Sequence, residues 1–366
     1  MRVTRLSLTN FRSYENLDLT FQPGVNTFIG NNGCGKTNVV EALIYLSFLS
    51  SHRVSVNAPL IRGDQDQAII RTEIVSDDRS LMVDLEINAN KTNRARINQN
   101  PTKSQREILG ALQVIYFTPE DLDLVRGDPA ERRDFMDKLL ITRTPRLAGV
   151  ISDYERVLRQ RNTLLKTRAP ENALVPWTEQ LIKLGAELTT ERIKLVEKLN
   201  PFLTKNYANL NEVKAASIAY KSPTEGLTNN VENNFEVLTA KQVEVAKNEI
   251  ERGVSLVGPH RDDLYLHLGE FPAKGYASHG ESWSMAISLR IGAFNLLLEE
   301  GSHPILILDD IFAELDTPRR AQLVAVTRLA EQTFITAAVE SDLPPELLTE
   351  RFYVSPGSVV KAEVLQ

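Results

Sequence analysis

Gly30, Gly35, Lys36 and Thr37, within IGNNGCGKTNVVEAL (residues 29–43), repeat the spacing G-x-x-x-x-G-K-[ST]. Almost nothing in this stretch can act as an acid or a base, so the chemistry it offers is that of the main chain. Glycines at 30, 33 and 35 let the backbone curl until successive N–H groups point at an anion, and a helix beginning there adds the positive end of its dipole. A lysine at 36 reaches the outer phosphates of a nucleotide, and a threonine hydroxyl at 37 is an oxygen ligand for Mg²⁺. The spacing assigns Gly30, Asn31, Asn32, Gly33, Cys34, Gly35, Lys36 and Thr37 to a triphosphate cradle. A thiol at the start of a helix favours the thiolate, so alkylation of Cys34 is expected to block nucleotide binding.

Such a cradle needs a carboxylate at the end of a buried strand to hold the metal. In HPILILDDIFAELD (303–316) the unbroken apolar run 305–308 reads as a strand covered on both faces, ending in Asp309 and Asp310. The pair resembles a Walker B motif, with Asp309 as Mg²⁺ ligand and Asp310 polarising the attacking water. Upstream, Ser278, Gly280 and Glu281 open a segment in which Ile287, Ile291, Phe294, Leu297 and Leu298 recur at helical spacing. One reading of S-x-x-E is a capping box that satisfies orphan N–H groups. The other is an ABC-type signature, a helix tip presented to the γ-phosphate of ATP held by a second subunit. Both can hold at once. In the order P-loop, signature, Walker B, the signature is expected to serve a partner's nucleotide, which makes ATP the joint of a homodimer, with 313–316 running along the interface.

The elements that must position these groups follow from periodicity. LDLTF (17–21) and GVNTFI (24–29) read as strands, and Val39, Val40, Leu43, Ile44 and Leu46 as a helix. Further on, Leu147, Val150, Ile151, Tyr154, Val157, Leu158 and Leu165 form one helical stripe. Leu181, Leu184, Leu188 and Val196 form a second, its first turn opened by Pro176. The expected organisation is an ATPase lobe from 1–117 and 253–366, with an antiparallel helical arm or lid lobe, 118–252, inserted.

Residues 126–168 hold eleven Lys or Arg against six Asp or Glu, in a chain of net charge −6. A solvated helix face with internal charge pairs accounts for that excess, and so does a track for the DNA backbone, with Arg132, Arg133, Arg156, Arg159 and Arg161 as candidates. Arg94 and Arg96, near Lys91, form a second basic spot on an expected hairpin. Aromatics are sparse at both, which favours duplex contact over base stacking. GPHRDDL (258–264) reads either as an exposed charged turn or as a link between lobes or to DNA.

Five blocks together resemble the RecF family, bacterial recombination-mediator ATPases related to SMC heads. They are LTNFRSYENLDLTFQPGVNTFIGNNGCGKTNVVEAL, YFTPEDLDLVRGDPAERRDFMD (116–137), LVGPHRDDLYLHL (256–268), the S-x-G-E signature and ILDDIFAELD, and the likeness spans essentially the whole chain. The resemblance implies an α/β P-loop NTPase of ABC/SMC-head type, a mixed sheet with flanking helices, carrying an inserted, mainly helical second lobe. It adds Arg12 to the ATP site. It implies a slow, DNA-dependent ATPase whose ATP-driven homodimer clamps double-stranded, gapped or junction DNA. The implied work is recombinational repair and fork maintenance, helping RecA load at gaps with RecR and RecO, in the cytoplasm at the nucleoid and without a membrane.

Some positions depart from a generic ABC ATPase. Asp310 stands where glutamate usually serves, which implies slow hydrolysis. No Q-loop glutamine is apparent, no histidine follows Walker B so Thr336 is the candidate γ-phosphate sensor, and His279 interrupts the signature. The shared motifs also fit an ABC-transporter subunit or a defence-system ATPase. The inserted lobe and NFRSY argue against the first, and the short tail after Asp316 against the second.

Composition agrees with a globular protein, at 42% hydrophobic and 25% charged. One cysteine excludes an internal disulfide or a multi-cysteine metal site and suits a reducing compartment. The charges interspersed in the first twenty residues do not fit an export signal.

Overall fold

A computed structural model describes residues 1–63, 65–76, 79–210 and 213–362. The chain divides into two units, Met1–Asp121 with Ala293–Gln366, and Leu122–Gly292.

The first unit sets two sheets around a helix. One sheet is antiparallel, in the order Tyr14–Thr20, Arg2–Phe11, Gln67–Ser76, Arg79–Asn88, Arg94–Ile97, Asn100–Pro101. The other runs Ser358–Lys361, Glu350–Ser355, Gly24–Ile29, Gln332–Ala337, Ile305–Asp309, Val114–Phe117, parallel except for its first strand. Parallel strands are covered on both faces, and Ile305–Asp309 is buried at every position. Phe28, Phe334 and Phe352, on three adjacent strands, meet around Phe21 with ring centroids 4.9–6.4 Å apart. That aromatic cluster anchors the strand that feeds the glycine loop. The helix Lys36–Phe48 packs with residues of both sheets in one core and is buried at eleven of its thirteen positions. Its apolar residues therefore surround it instead of forming a stripe.

The second unit holds helices Pro129–Arg143, Leu147–Lys166, Glu171–Ala208 and Val231–Arg252, with an antiparallel sheet of Phe271–Pro272, Asp263–Leu268 and Ala216–Lys221. The expected helix pair is present, but its second member starts at Glu171, with Pro176 and Pro201 inside it. Each proline forgoes one backbone hydrogen bond; burial of Leu174 and Leu181 on either side of Pro176 favours a continuous helix. Periodicity gave no sign of Val231–Arg252, because its buried positions include Asn234, Gln242 and Glu249 alongside Leu238. The division at 252 is also corrected. Residues 253–292 fall in the second unit, since Asp263–Leu268 pairs with Ala216–Lys221 and Asp263 takes both forks of Arg132.

GPHRDDL is the junction of that unit and not an exposed turn. Pro259 O accepts from Arg192, which also grips Asp137 at 2.8 and 2.7 Å. Asp262, 1% exposed, accepts from Tyr220. His260 Nε2 faces the Ser255 carbonyl at 3.1 Å and Nδ1 faces Tyr154 Oη at 2.6 Å. A carbonyl only accepts, so Nε2 carries the proton and Nδ1 accepts from the tyrosine. Burial first, then the charges of Arg261 and Arg133, holds this imidazole down at about 4.

Candidate functional site

Strand Gly24–Ile29 delivers the chain into loop 30–35, and the helix starts at Lys36. Two glycines are required by close approach. A Cβ on Gly30 would lie 2.3 Å from Val354 O, and one on Gly35, at φ +114°, 2.8 Å from Ser13 Oγ. Lys36, 3% exposed, donates to Gly30 O at 2.9 Å and lies 3.8 Å from Asp310 Oδ1. Its ammonium is thus fixed over the loop, where an anion would sit.

The far strand supplies the carboxylates. Thr37 Oγ1 donates to Asp309 Oδ1 at 3.1 Å, and Thr336 Oγ1 donates to the same oxygen at 2.6 Å while accepting the Asp310 N–H at 2.9 Å. The one Thr336 proton is committed to Asp309, so the expectation that Thr336 senses a γ-phosphate does not fit this geometry. Asp309 is pushed up to about 6, chiefly by burial and further by the charge of Asp310, against the opposing hydrogen bonds of Thr336 and Thr37. Asp310 is more open and sits at φ +49°, a left-handed conformation rare outside glycine.

Gly35, Lys36, Thr37, Asp310 and Thr336 line a cleft of about 530 Å³, shared with Arg12, Arg53 and Glu314; that size suits a small ligand. Thr37 and Asp309 offer hard oxygen donors 3.1 Å apart, which fits Mg²⁺. Among the described residues no group of three or more His, Cys, Asp or Glu could hold a metal. A cation here would complete its shell with phosphate and water oxygens, as Mg²⁺ does.

Arg12 lines the cleft, but its Nε and NH2 are gripped by Glu41 at 2.8 and 2.6 Å. Glu41 is fully buried and also draws Ser51 and Arg53. Sequence reasoning missed Glu41 and Arg53. The available signal was one acid inside the apolar window VVEAL, since a carboxylate is not buried without partners. Cys34 is 6% exposed and packs under Gly30. The alkylation expectation therefore fails on access, as buried structural thiols are inert.

At the signature the capping box is realised. Ser278 N–H donates to Glu281 Oε2 at 2.8 Å and Glu281 N–H to Ser278 Oγ at 3.2 Å. Lys214 binds the Glu281 carboxylate at 2.6 Å and, with the capping bonds, lowers it to about 2. Ser278 and His279 stay exposed and Gly280 is partly buried, so the helix tip remains open to a ligand.

The basic candidates separate sharply. Arg132 and Arg161 are corrections: 4% and 3% exposed, they bind Asp263 and Glu249, and Arg161 also donates to Thr178 and Ser255. Their guanidinium groups balance a half-buried and a fully buried carboxylate and cannot reach phosphate. Arg133 is half-buried and donates to Asp262 O. Arg156 and Arg159 are exposed beside Asp153 and Glu155 at 3.3 and 3.7 Å, and Arg94 and Arg96 are exposed on the strand Arg94–Ile97.

The profile of the RecF/RecN/SMC N terminal domain matches residues 2–344. The chain is similar to the DNA replication and repair protein RecF of Streptomyces avermitilis, 48% identical over 370 residues, 98% of this chain and 99% of that one. It is similar to the protein of the same name from Frankia alni, 47% identical over 378 residues, 99% of this chain and all of that one. Among solved structures it resembles the recombination mediator protein RecF-ATPrS of the RecFOR pathway, with TM-score 0.90 and 26% identity over 99% of this chain and 98% of that one. It also resembles an Smc head bound to the C-winged helix domain of ScpA, with TM-score 0.59 and 16% identity over 100% of this chain and 98% of that one, a likeness of fold alone.

Proposed function

The chain belongs to the RecF family of DNA replication and repair proteins, and from that premise we propose that it is an ATP-driven clamp on DNA. Two copies close head to tail on Mg·ATP, each nucleotide held by the loop 30–37 of one copy and sealed by the Ser278–Glu281 tip of the other. The reading rests most on one observation: Lys36, Thr37 and Asp310 line a single polar cleft, and Thr37 bonds the buried Asp309 beneath it although 272 residues separate the two.

Main-chain amides and Lys36 bind and orient the phosphates. Thr37 and Asp309 hold Mg²⁺, whose charge offsets that of the phosphates. Asp310, open to the cleft, positions water and takes its proton. A carboxylate one methylene shorter than glutamate reaches that water less directly, so turnover is slow and acts as a timer. By likeness to the RecFOR mediators, the clamp works with RecR and RecO in loading RecA at single-strand gaps, at the nucleoid. Among the described residues no helix is long and apolar enough to cross a membrane.

Sedimentation with and without Mg·ATP, then with duplex and gapped DNA, tests the proposal. ATP-dependent dimers that bind DNA support it; a chain that stays single at saturating Mg·ATP overturns it.

A further inference from the structure

Close to the signature tip in the chain stand exposed apolar side chains that the fold does not use. Tyr276 is 63% exposed and stacks on Phe271, 55% exposed, with centroids 5.2 Å apart and planes 20° from parallel. Tyr276 precedes Ser278 by two residues, so their Cα atoms lie within about 7 Å of each other. Lys214 binds Glu281 at 2.6 Å, and its neighbour in the chain, Val213, is fully exposed. Phe271 stands on a two-residue strand that pairs with Asp263–Leu268 at the border of its sheet.

We propose that Phe271 and Tyr276, with Val213, form an apolar anchor that docks on a second copy of this chain when ATP closes the dimer. The inference rests on the sandwich reading above and adds to it the side chains that seal the tip. A helix tip stabilises a phosphate strongly only where water is excluded and the local dielectric is low. Aromatic side chains ringing a polar centre exclude water in this way, and exposed aromatics are the side chains that dominate interface energies. The occupant is a second copy because the surface such a tip fits, a phosphate cleft, is carried by this same chain. DNA is the poorer occupant: no cation beyond Lys274 stands within the aromatic segment 271–276, and that lysine is engaged with Gly127 O and Asp128.

The test compares wild type, the double variant Phe271→Ser/Tyr276→Ser, the conservative pair Phe271→Tyr/Tyr276→Phe, and Ser278→Arg. ATP affinity of the single copy is read by displacement of a fluorescent ATP analogue at high dilution, and dimerisation by sedimentation velocity at saturating Mg·ATP. The serine pair should bind ATP within twofold of wild type but dimerise roughly thirtyfold more weakly or worse, and the conservative pair should dimerise as wild type does. Equal dimerisation of the serine pair and wild type, with Ser278→Arg monomeric, overturns the anchor and leaves the sandwich standing. A wild type that never dimerises removes both.

A second measurement does not depend on the serine pair folding. Because Cys34 is buried, Tyr276→Cys introduces a single reactive thiol. Its maleimide labelling should slow at least fivefold on adding Mg·ATP, and not slow when Lys36→Ala is also present. Unchanged labelling at concentrations where the Tyr276→Cys protein itself sediments as an ATP-dependent dimer overturns the anchor.

Discussion

At the scale of the residue, one lysine and one threonine carry most of the site's geometry. Lys36 makes its bonds to loop carbonyls from a buried position, so Lys36→Ala removes both the proposed phosphate contact and a tie within the loop. Calorimetry should show ATP binding weakened about tenfold to a hundredfold, the range of one charge-assisted hydrogen bond. Thr336 holds Asp309 and the Asp310 N–H together, and Thr336→Val leaves both without that partner. Denaturant unfolding should record a loss of about 1–3 kcal/mol; an unchanged midpoint would mean that water replaces the hydroxyl. Asp310→Asn keeps the shape of the cleft and removes the proposed proton acceptor. Phosphate release should fall to background while ATP-dependent dimers persist, and continued turnover would assign the water to another group.

Elements explain why two expected DNA contacts turned out to be structural. Helix Val231–Arg252 buries Glu249, which Arg161 and Gln242 satisfy, so an arginine on an apparently basic helix is bound to an acid 88 residues away. Removing one partner of such a pair strands the other: Arg161→Ala should cost about 3–5 kcal/mol in urea unfolding, with DNA affinity of the folded protein unaltered. His260 makes the same unit sensitive to pH. Its folded value of about 4 lies below the ordinary 6.5, so the unfolded chain binds the proton more readily. The contribution of this group to stability is constant above 6.5 and falls as the pH drops from 6.5 towards 4. His260→Gln keeps a donor and an acceptor but does not titrate, so its melting temperature should gain on that of wild type across this window. Parallel curves would show that the imidazole does not govern it.

For the whole molecule, a net charge of −6 repels DNA at long range, and any duplex contact has to come from a local patch. The exposed Arg94 and Arg96, with Arg156 and Arg159, are the candidates that remain. Arg94→Glu/Arg96→Glu should weaken duplex binding and flatten the salt slope by about one unit for each phosphate no longer neutralised; the same change at Arg156 and Arg159 distinguishes the two patches. An unchanged slope for both would place the DNA surface elsewhere.

The glycine loop, the carboxylate pair, the capping box and the strands around them were legible in the sequence, because local periodicity and short-range turn chemistry determine them. The unbroken apolar run 305–308 read as a covered strand, and the glycine spacing of 30–35 read as a curled loop before a helix. Tertiary structure alone decided three matters. It brought Glu41 to Arg12, it assigned 253–292 to the helical unit, and it divided the arginines into buried partners and exposed cations. The physical reason is common to all three. A charge in a sequence states what a side chain can bind, whereas burial and long-range pairing decide whether a carboxylate, a carbonyl or solvent has already taken it.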